Sequence, residues 1–177
     1  MKKLMDAKQV DLALGKLYRA IVSAFPAKDP IAVVGIRTRG LTLADRIVER
    51  LRKDKHREVL RGSLDVTFYR DDLSRRRGAP LVRATEIDFD LDDTWLLLVD
   101  DVLETGRSVR AALDALHDFG RPRKIRLAVL IDRGGRELPI SADFVGKHLS
   151  PPTDRRVQVR LKENDGEEGV YSIRKVN

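Results

Sequence analysis

The chain has 177 residues, 42% hydrophobic and 36% charged, with 35 lysines and arginines against 28 acids and a formal net charge of +7. That mix fits one globular domain with a real core and a heavily charged surface, and it excludes an intrinsically disordered chain. With no cysteine there is neither a disulfide nor a Cys-ligated zinc site. The opening MKKLMDAKQV is positive but has no apolar stretch behind it, and no window approaches the ~18 apolar residues of a membrane span. No leader, no anchor and a cytoplasmic location are therefore expected. The basic surplus suits a polyanionic partner (nucleic acid, anionic lipid or a phosphate-rich substrate) or serves only solubility.

Residues 7 to 25 read as a helix, with Val10, Leu14, Leu17 and Ile21 on one buried stripe and FPAKDP as its stop. IAVVGI (31–36) is a continuous apolar run between turn signals, as in a strand buried on both faces. RTRG follows as a loop, and a helix is expected over 41–53, with Leu43, Ile47 and Leu51 on one face. Residues 60–69 read as a strand, and 70–85 as a long charged loop. TWLLLVD (94–100) is a second buried strand; a helix is expected from Ser108 to Phe119, ended by Gly120 and Pro122. IRLAVLID (125–132) is a third buried strand. RRVQVRL (155–161) and GVYSIR (169–174) are shorter strands about the turn DGEEG. Strands alternating with helices imply an α/β fold with a parallel sheet covered on both faces. Its ligands are expected at the carboxyl ends of the strands. His56, His117 and His148 have no metal spacing, and Trp95 reads as core.

Two loops fall at that edge. In VDDVLETGRS an apolar strand delivers Asp100 and Asp101, then Thr105, Gly106, Arg107 and Ser108 open a helix. A helix N-terminus with glycine, hydroxyls and a positive charge is built to take an anion. Two acids beside it can grip vicinal ribose hydroxyls or help hold a magnesium ion that bridges phosphates. The loop lacks the lysine and the spacing of a Walker A loop. RTRG places two arginines beside a glycine after a buried strand, which suits either an oxyanion contact or a solvated basic loop.

LLLVDDVLETGRSVRA resembles the phosphoribosyl-pyrophosphate motif of type I phosphoribosyltransferases. DAKQVDLAL, VGIRTRG, LDVTFYRDDLS, DRGGRELPISADFVGK and DGEEGVY, in that order, extend the resemblance over nearly the whole chain. The family they resemble is that of the bifunctional pyrimidine-operon attenuators and uracil phosphoribosyltransferases, the PyrR family. The resemblance implies the type I fold, with a hood from roughly 1–25 and 133–177 and a flexible loop over roughly 70–86. It implies transfer of phosphoribose from phosphoribosyl pyrophosphate (PRPP) to uracil, giving UMP and pyrophosphate, with Mg2+ carried by PRPP. Asp100 and Asp101 would hold the ribose near that Mg2+, and Thr105, Gly106, Arg107, Ser108 and Val109 the 5′-phosphate. Arg37, Thr38, Arg39 and Gly40 would bind pyrophosphate, with Arg39 foremost and a cis peptide in the loop. Ser74, Arg75, Arg76 and Arg77 would form a lid over the site, unless they are only a basic tip. Asp132, Arg133, Phe144 and Val145 would build the uracil pocket, unless Phe144 is core. A homo-oligomer is also implied.

Two departures stand out. Glu104 replaces the family's aromatic residue, at a position where hypoxanthine-guanine phosphoribosyltransferases carry an acid. It would act either as a general base on a nucleobase or point to solvent. Gly135 and Ser141 replace a His and an Arg of the RNA-binding segment, and Gly15 and Arg19 fall where the family tends to have Thr and His. Lys16, Arg19, Arg133, Arg136 and Lys147 keep the face basic, so RNA contact through Lys16, Arg19, Arg136 and Lys147 is the weaker part of the resemblance. The alternatives to the uracil enzyme are an attenuator that binds pyrimidine-operon leader RNA with secondary enzyme activity, and a purine phosphoribosyltransferase.

Overall fold

A computed structural model describes residues 1–26, 29–53, 58–67 and 85–175. Its element order is β1 (Lys2–Met5), α1 (Ala7–Ala24), β2 (Ile31–Ile36), α2 (Arg39–Lys53), β3 (Val59–Leu64), β4 (Trp95–Leu103), α3 (Arg107–Leu116), β5 (Lys124–Asp132), β6 (Phe144–His148), β7 (Arg155–Arg160), α4 (Lys162–Asp165) and β8 (Gly169–Arg174). Five strands form a parallel sheet in the order β3-β2-β4-β5-β6, and β1-β8-β7 form a second, antiparallel sheet. The fold is α/β, as expected.

The apolar runs explain the main sheet. Every residue of β2 is buried. In β4, Leu97 and Val99 point into one core with α1 and α2, whereas Leu96 and Leu98 point into the other with α3. Helix α1 begins on a capping box: Asp6 Oδ1 accepts the Gln9 N–H at 2.8 Å, and Gln9 Oε1 accepts the Asp6 N–H at 2.9 Å. Its stripe of Val10, Ala13, Leu14, Leu17 and Ile21 is buried against that sheet. Val157, Val159, Leu161 and Val170 of the second-sheet region join the same core.

Four elements differ from expectation. Helix α2 begins at Arg39, so Arg39 and Gly40 are its first turn and not a loop. Strand β4 continues through the acids to Leu103, because β5 keeps pairing with it as far as Leu103↔Asp132. Residues 144–148 are a strand of the main sheet and not of a hood. Strand β1 is a two-lysine edge strand that pairs with β8 alone and carries no apolar run to reveal it. Residues 70–84 of the expected loop 70–85 lie outside the described residues, as do residues 68–69 of the strand expected over 60–69.

Candidate active site

The main sheet reverses its winding between β2 and β4. After β2 the chain crosses to β3 on one side, and after β4 it crosses to β5 on the other. Ligands of open α/β sheets bind at such a switch point. Here β2 and β4 pair only as far as Gly35↔Val99, while β4 runs on beside β5. The acids Asp100 and Asp101 thus emerge where β4 has lost one neighbour, between the N-termini of α2 and α3.

Glycine makes that approach possible. A Cβ on Gly35 would lie 2.4 Å from Leu41 Cα, and one on Gly40 would lie 2.6 Å from Val99 O and 3.0 Å from Asp100 Cα. Helix α2 therefore rests directly on the backbone of β4 at the acid pair. The role of Gly40 is this close packing, which a reading of RTRG as a solvated loop does not contain.

Asp100 is 7% exposed. Its Oδ1 accepts the Asp101 N–H at 2.8 Å, and Asp101 Oδ1 accepts the Val102 N–H at 2.9 Å. Burial pushes the Asp101 carboxyl up, against the hydrogen bond to Asp100 and the charge of Arg39. Two carboxylates at an open strand end suit a magnesium ion that arrives on a diphosphate, since Mg2+ is commonly bound by one or two carboxylates plus phosphates. Among the described residues no group of three or more His, Cys, Asp or Glu could hold a metal unaided.

Beyond β4, Gly106 takes φ +91° and caps α3 with no side-chain hydrogen bond. The positive end of the helix dipole lies at this turn, where the Arg107 N–H donates to Thr105 Oγ1 at 3.3 Å. The Thr105 carbonyl accepts the Glu137 and Leu138 N–H groups at 3.0 and 3.1 Å, and Arg107 Nε donates to Glu137 Oε2 at 2.6 Å. The turn is thereby tied to the segment after β5. Together Asp100, Val102, Leu103, Glu104, Thr105, Gly106, Ser108 and Val109 line a cavity of about 310 Å3, closed on one side by Arg156 and Val157 of β7.

Arg156 and Val157 are the residues that sequence reasoning missed. Nothing local marks them, because RRVQVRL reads as an ordinary alternating strand and its approach to β4 is a tertiary fact. Phe144 and Val145 are not at this cavity. Phe144 opens β6, at the end away from the rim, and packs on Phe25 with ring centroids 6.2 Å apart. Val145 packs into the core beneath α3. Phe144 is core.

The loop after β2 contains a cis peptide between Arg37 and Thr38. Arg37 Nη2 donates to Ser63 Oγ at 2.8 Å and pairs with Glu86 at 3.1 Å, while Thr38 is exposed. Arg39 points its Nε and Nη2 at Asp165, at 3.0 and 2.5 Å. Ser74, Arg75, Arg76 and Arg77 lie outside the described residues.

Glu104 is partly exposed but ion-paired. Its Oε1 accepts from Arg133 Nη1 at 2.8 Å and from Lys175 Nζ at 3.1 Å. The Arg133 side chain is only 4% exposed and also donates to the Arg155 carbonyl at 2.8 Å. Glu104 is thus the counterion of a buried arginine, and not the unpartnered, solvent-pointing acid that was one expectation for it. A Cβ on Gly135 would sit 3.8 Å from Glu104 Cγ, so two departures from the family pattern are neighbours in space.

Arg136 is likewise committed, to Asp132 at 2.6 Å and to the carbonyls of Ile140 and Glu104 at 2.8 and 3.0 Å. It staples the end of β4 to the segment after β5. Burial works to raise the Asp132 carboxyl, but Arg136 and the Gly134 N–H outweigh it and hold it below the usual range. Lys16, Arg19 and Lys147 are exposed, and Lys16 and Lys147 line one groove between α1 and β6.

The Phosphoribosyl transferase domain family matches residues 2–159. The Bifunctional protein PyrR of Elusimicrobium minutum is 46% identical over 178 residues, covering 100% of this chain and 99% of that protein. The Bifunctional protein PyrR of Roseiflexus sp. is 50% identical, covering 98% and 95%. Among solved structures, a hypoxanthine-guanine phosphoribosyltransferase of Bacillus anthracis superposes with a TM-score of 0.74 at 15% identity, covering 98% of each chain. At that identity the likeness shows the fold alone. With the site at the switch point and relatives matching end to end, the chain belongs to the PyrR family of phosphoribosyltransferases.

Proposed function

We propose that the protein transfers phosphoribose from PRPP to N1 of uracil, releasing pyrophosphate and forming UMP. The observation that carries this is the cavity itself: Asp100 of the acid pair lines it, with the N-terminus of α3 at one side and β7 at the other. Asp100 and Asp101 hold the ribose hydroxyls and face the positive charge that develops at C1′ as the C1′–O bond to pyrophosphate breaks. Backbone N–H groups from Thr105 to Val109 hold the 5′-phosphate. Arg39 holds the departing pyrophosphate. Val157 and the stem of Arg156 form the wall against which a planar base lies. N1 of uracil bonds to C1′, the electron pair of the broken C1′–O bond leaves with pyrophosphate, and the N1 proton passes to that departing pyrophosphate. Magnesium bound with PRPP would supply further charge neutralisation on the diphosphate, held beside Asp100 and Asp101. The ion pairs of Glu104 weigh against its service as a general base for a purine.

A second role, binding leader RNA, is supported by Lys16 and Lys147 across one groove, with Arg19 exposed further along α1. Phosphate contacts alone make that binding salt-sensitive and indifferent to sequence. A leader-specific affinity surviving moderate salt would make this a true attenuator.

The test of the enzyme is pyrophosphate release from PRPP and Mg2+, with uracil, hypoxanthine and guanine offered separately. Turnover with uracil alone is expected. Turnover with a purine would overturn the base assignment, and silence with all three would overturn the activity.

A further inference from the structure

The second sheet reaches across to the start of α2 through a ladder of polar contacts. Arg39, Thr42 and Arg46 lie on one face of α2. Opposite them, Asp165 takes Arg39, Asn164 Oδ1 accepts from Thr42 Oγ1 at 2.7 Å, and Glu163 and Glu168 both take Arg46, at 2.7 and 2.6 Å. The Arg46 rung is a plain anchor, far along the helix from the acid pair. The Arg39 rung is different, because its guanidinium lies close enough to Asp101 to feel its charge.

Asp165 is itself rigidly held. Its Oδ2 accepts the Leu161 N–H at 2.9 Å, and its own N–H donates back to the Leu161 carbonyl at 2.8 Å. Leu161 is fully buried. The carboxylate is thus fixed to the end of β7, the strand that closes the nucleobase side of the cavity. It grips Arg39 by Nε and Nη2, and among the described residues Nη1 has no hydrogen-bond partner. A bidentate grip on a planar fork sets the plane and leaves the remaining edge as the donor face.

The geometry points to Asp165 as a positioning residue that aims Arg39 at the diphosphate of PRPP, so that β7 and its turn contribute to both ends of the site. This rests on the reaction proposed above. Asp165 touches no substrate; it acts through Arg39. The acidic turn DGEEG then has a role at the catalytic edge as well as in joining β7 to β8.

Steady-state rates of the full-length protein, with PRPP and uracil varied separately, test this. Asp165→Asn places an amide where the fork expects a carboxylate, and is expected to raise KM for PRPP or lower kcat about ten-fold or more, with KM for uracil nearly unchanged. Arg39→Lys should cost a similar factor, and the double variant little more than either alone, because the two act as a unit. Arg46→Gln loosens the same interface without touching Arg39; it should melt earlier yet keep the wild-type KM for PRPP. Asp165→Asn within two-fold of wild type would overturn the inference, as would Arg46→Gln losing PRPP affinity equally, which would reduce the ladder to simple docking. Should Asp165→Asn fold poorly, Asp165→Glu gives the milder reading, with partial recovery expected and none overturning the assignment. If the wild type turns over no base, the proposed reaction fails, while calorimetric titration with PRPP and Mg2+ still tests whether Asp165→Asn binds the donor more weakly.

Discussion

Glu104 gives the sharpest test, because its two possible roles predict opposite results. Removing one partner of a buried ion pair costs about 3–5 kcal/mol, chiefly for the charge left behind. In this protein Arg133 would be that charge, at 4% side-chain exposure, but Glu104 is 30% exposed and Arg133 keeps the Arg155 carbonyl. About 2–3 kcal/mol is therefore expected for Glu104→Ala. In a domain of this size 1 kcal/mol moves Tm by about 2–4 °C, so the melting temperature should fall by about 4–12 °C. Glu104→Gln keeps an acceptor for Arg133 and should lose about half as much. Turnover with uracil should stay within about ten-fold of wild type, whereas loss of a general base would cost about a hundred-fold or more. Thermal melts and initial rates on the same preparations decide the matter. A Tm within about 2 °C of wild type, joined to a hundred-fold loss of kcat, would refute the counterion role and return Glu104 to the chemistry. Arg133→Met combined with Glu104→Ala should recover much of the lost stability, since an apolar replacement removes the stranded charge.

Asp101 carries a pH signature. Burial raises its carboxyl above the unfolded value of about 3.9, so the stability it contributes is full below that pH and is lost as pH rises through the folded value. Asp101→Asn should therefore melt above wild type at pH 7, with the gain shrinking toward pH 4, while turnover falls about a hundred-fold or more; a variant melting below wild type at pH 7 would contradict this. Gly40→Ala should cost about 1–3 kcal/mol and most of the PRPP affinity, because the new Cβ meets backbone at 2.6 and 3.0 Å and nothing there can rotate aside; calorimetry with PRPP and normal binding would show the contact relaxes freely. Phe144→Ala should lose about 3–5 kcal/mol as a core truncation yet keep its KM for uracil, whereas Arg156→Ala should raise that KM with little loss of Tm; the reverse pattern in paired kinetics and urea melts would restore Phe144 to the base pocket.

Much of this protein was legible locally. Continuous apolar runs at 31–36, 94–100 and 125–132 required strands buried on both faces, and the stripe from Val10 to Ile21 required a helix with one face in the core. The run from Asp100 to Ser108 declared an anion-binding turn, because glycine, hydroxyls and a helix start act through neighbours in the chain. Other features had no local signal. Strand β1 exists only because β8 offers it an edge. Gly40 matters through a strand about sixty residues away, Glu104 through Arg133, and Arg39 through Asp165, 126 residues on. Periodicity and turn chemistry report what a segment does against water and its own backbone. Which charge meets which, and which wall closes a cavity, depends on the order of strands in the sheet, and only the tertiary structure decided that.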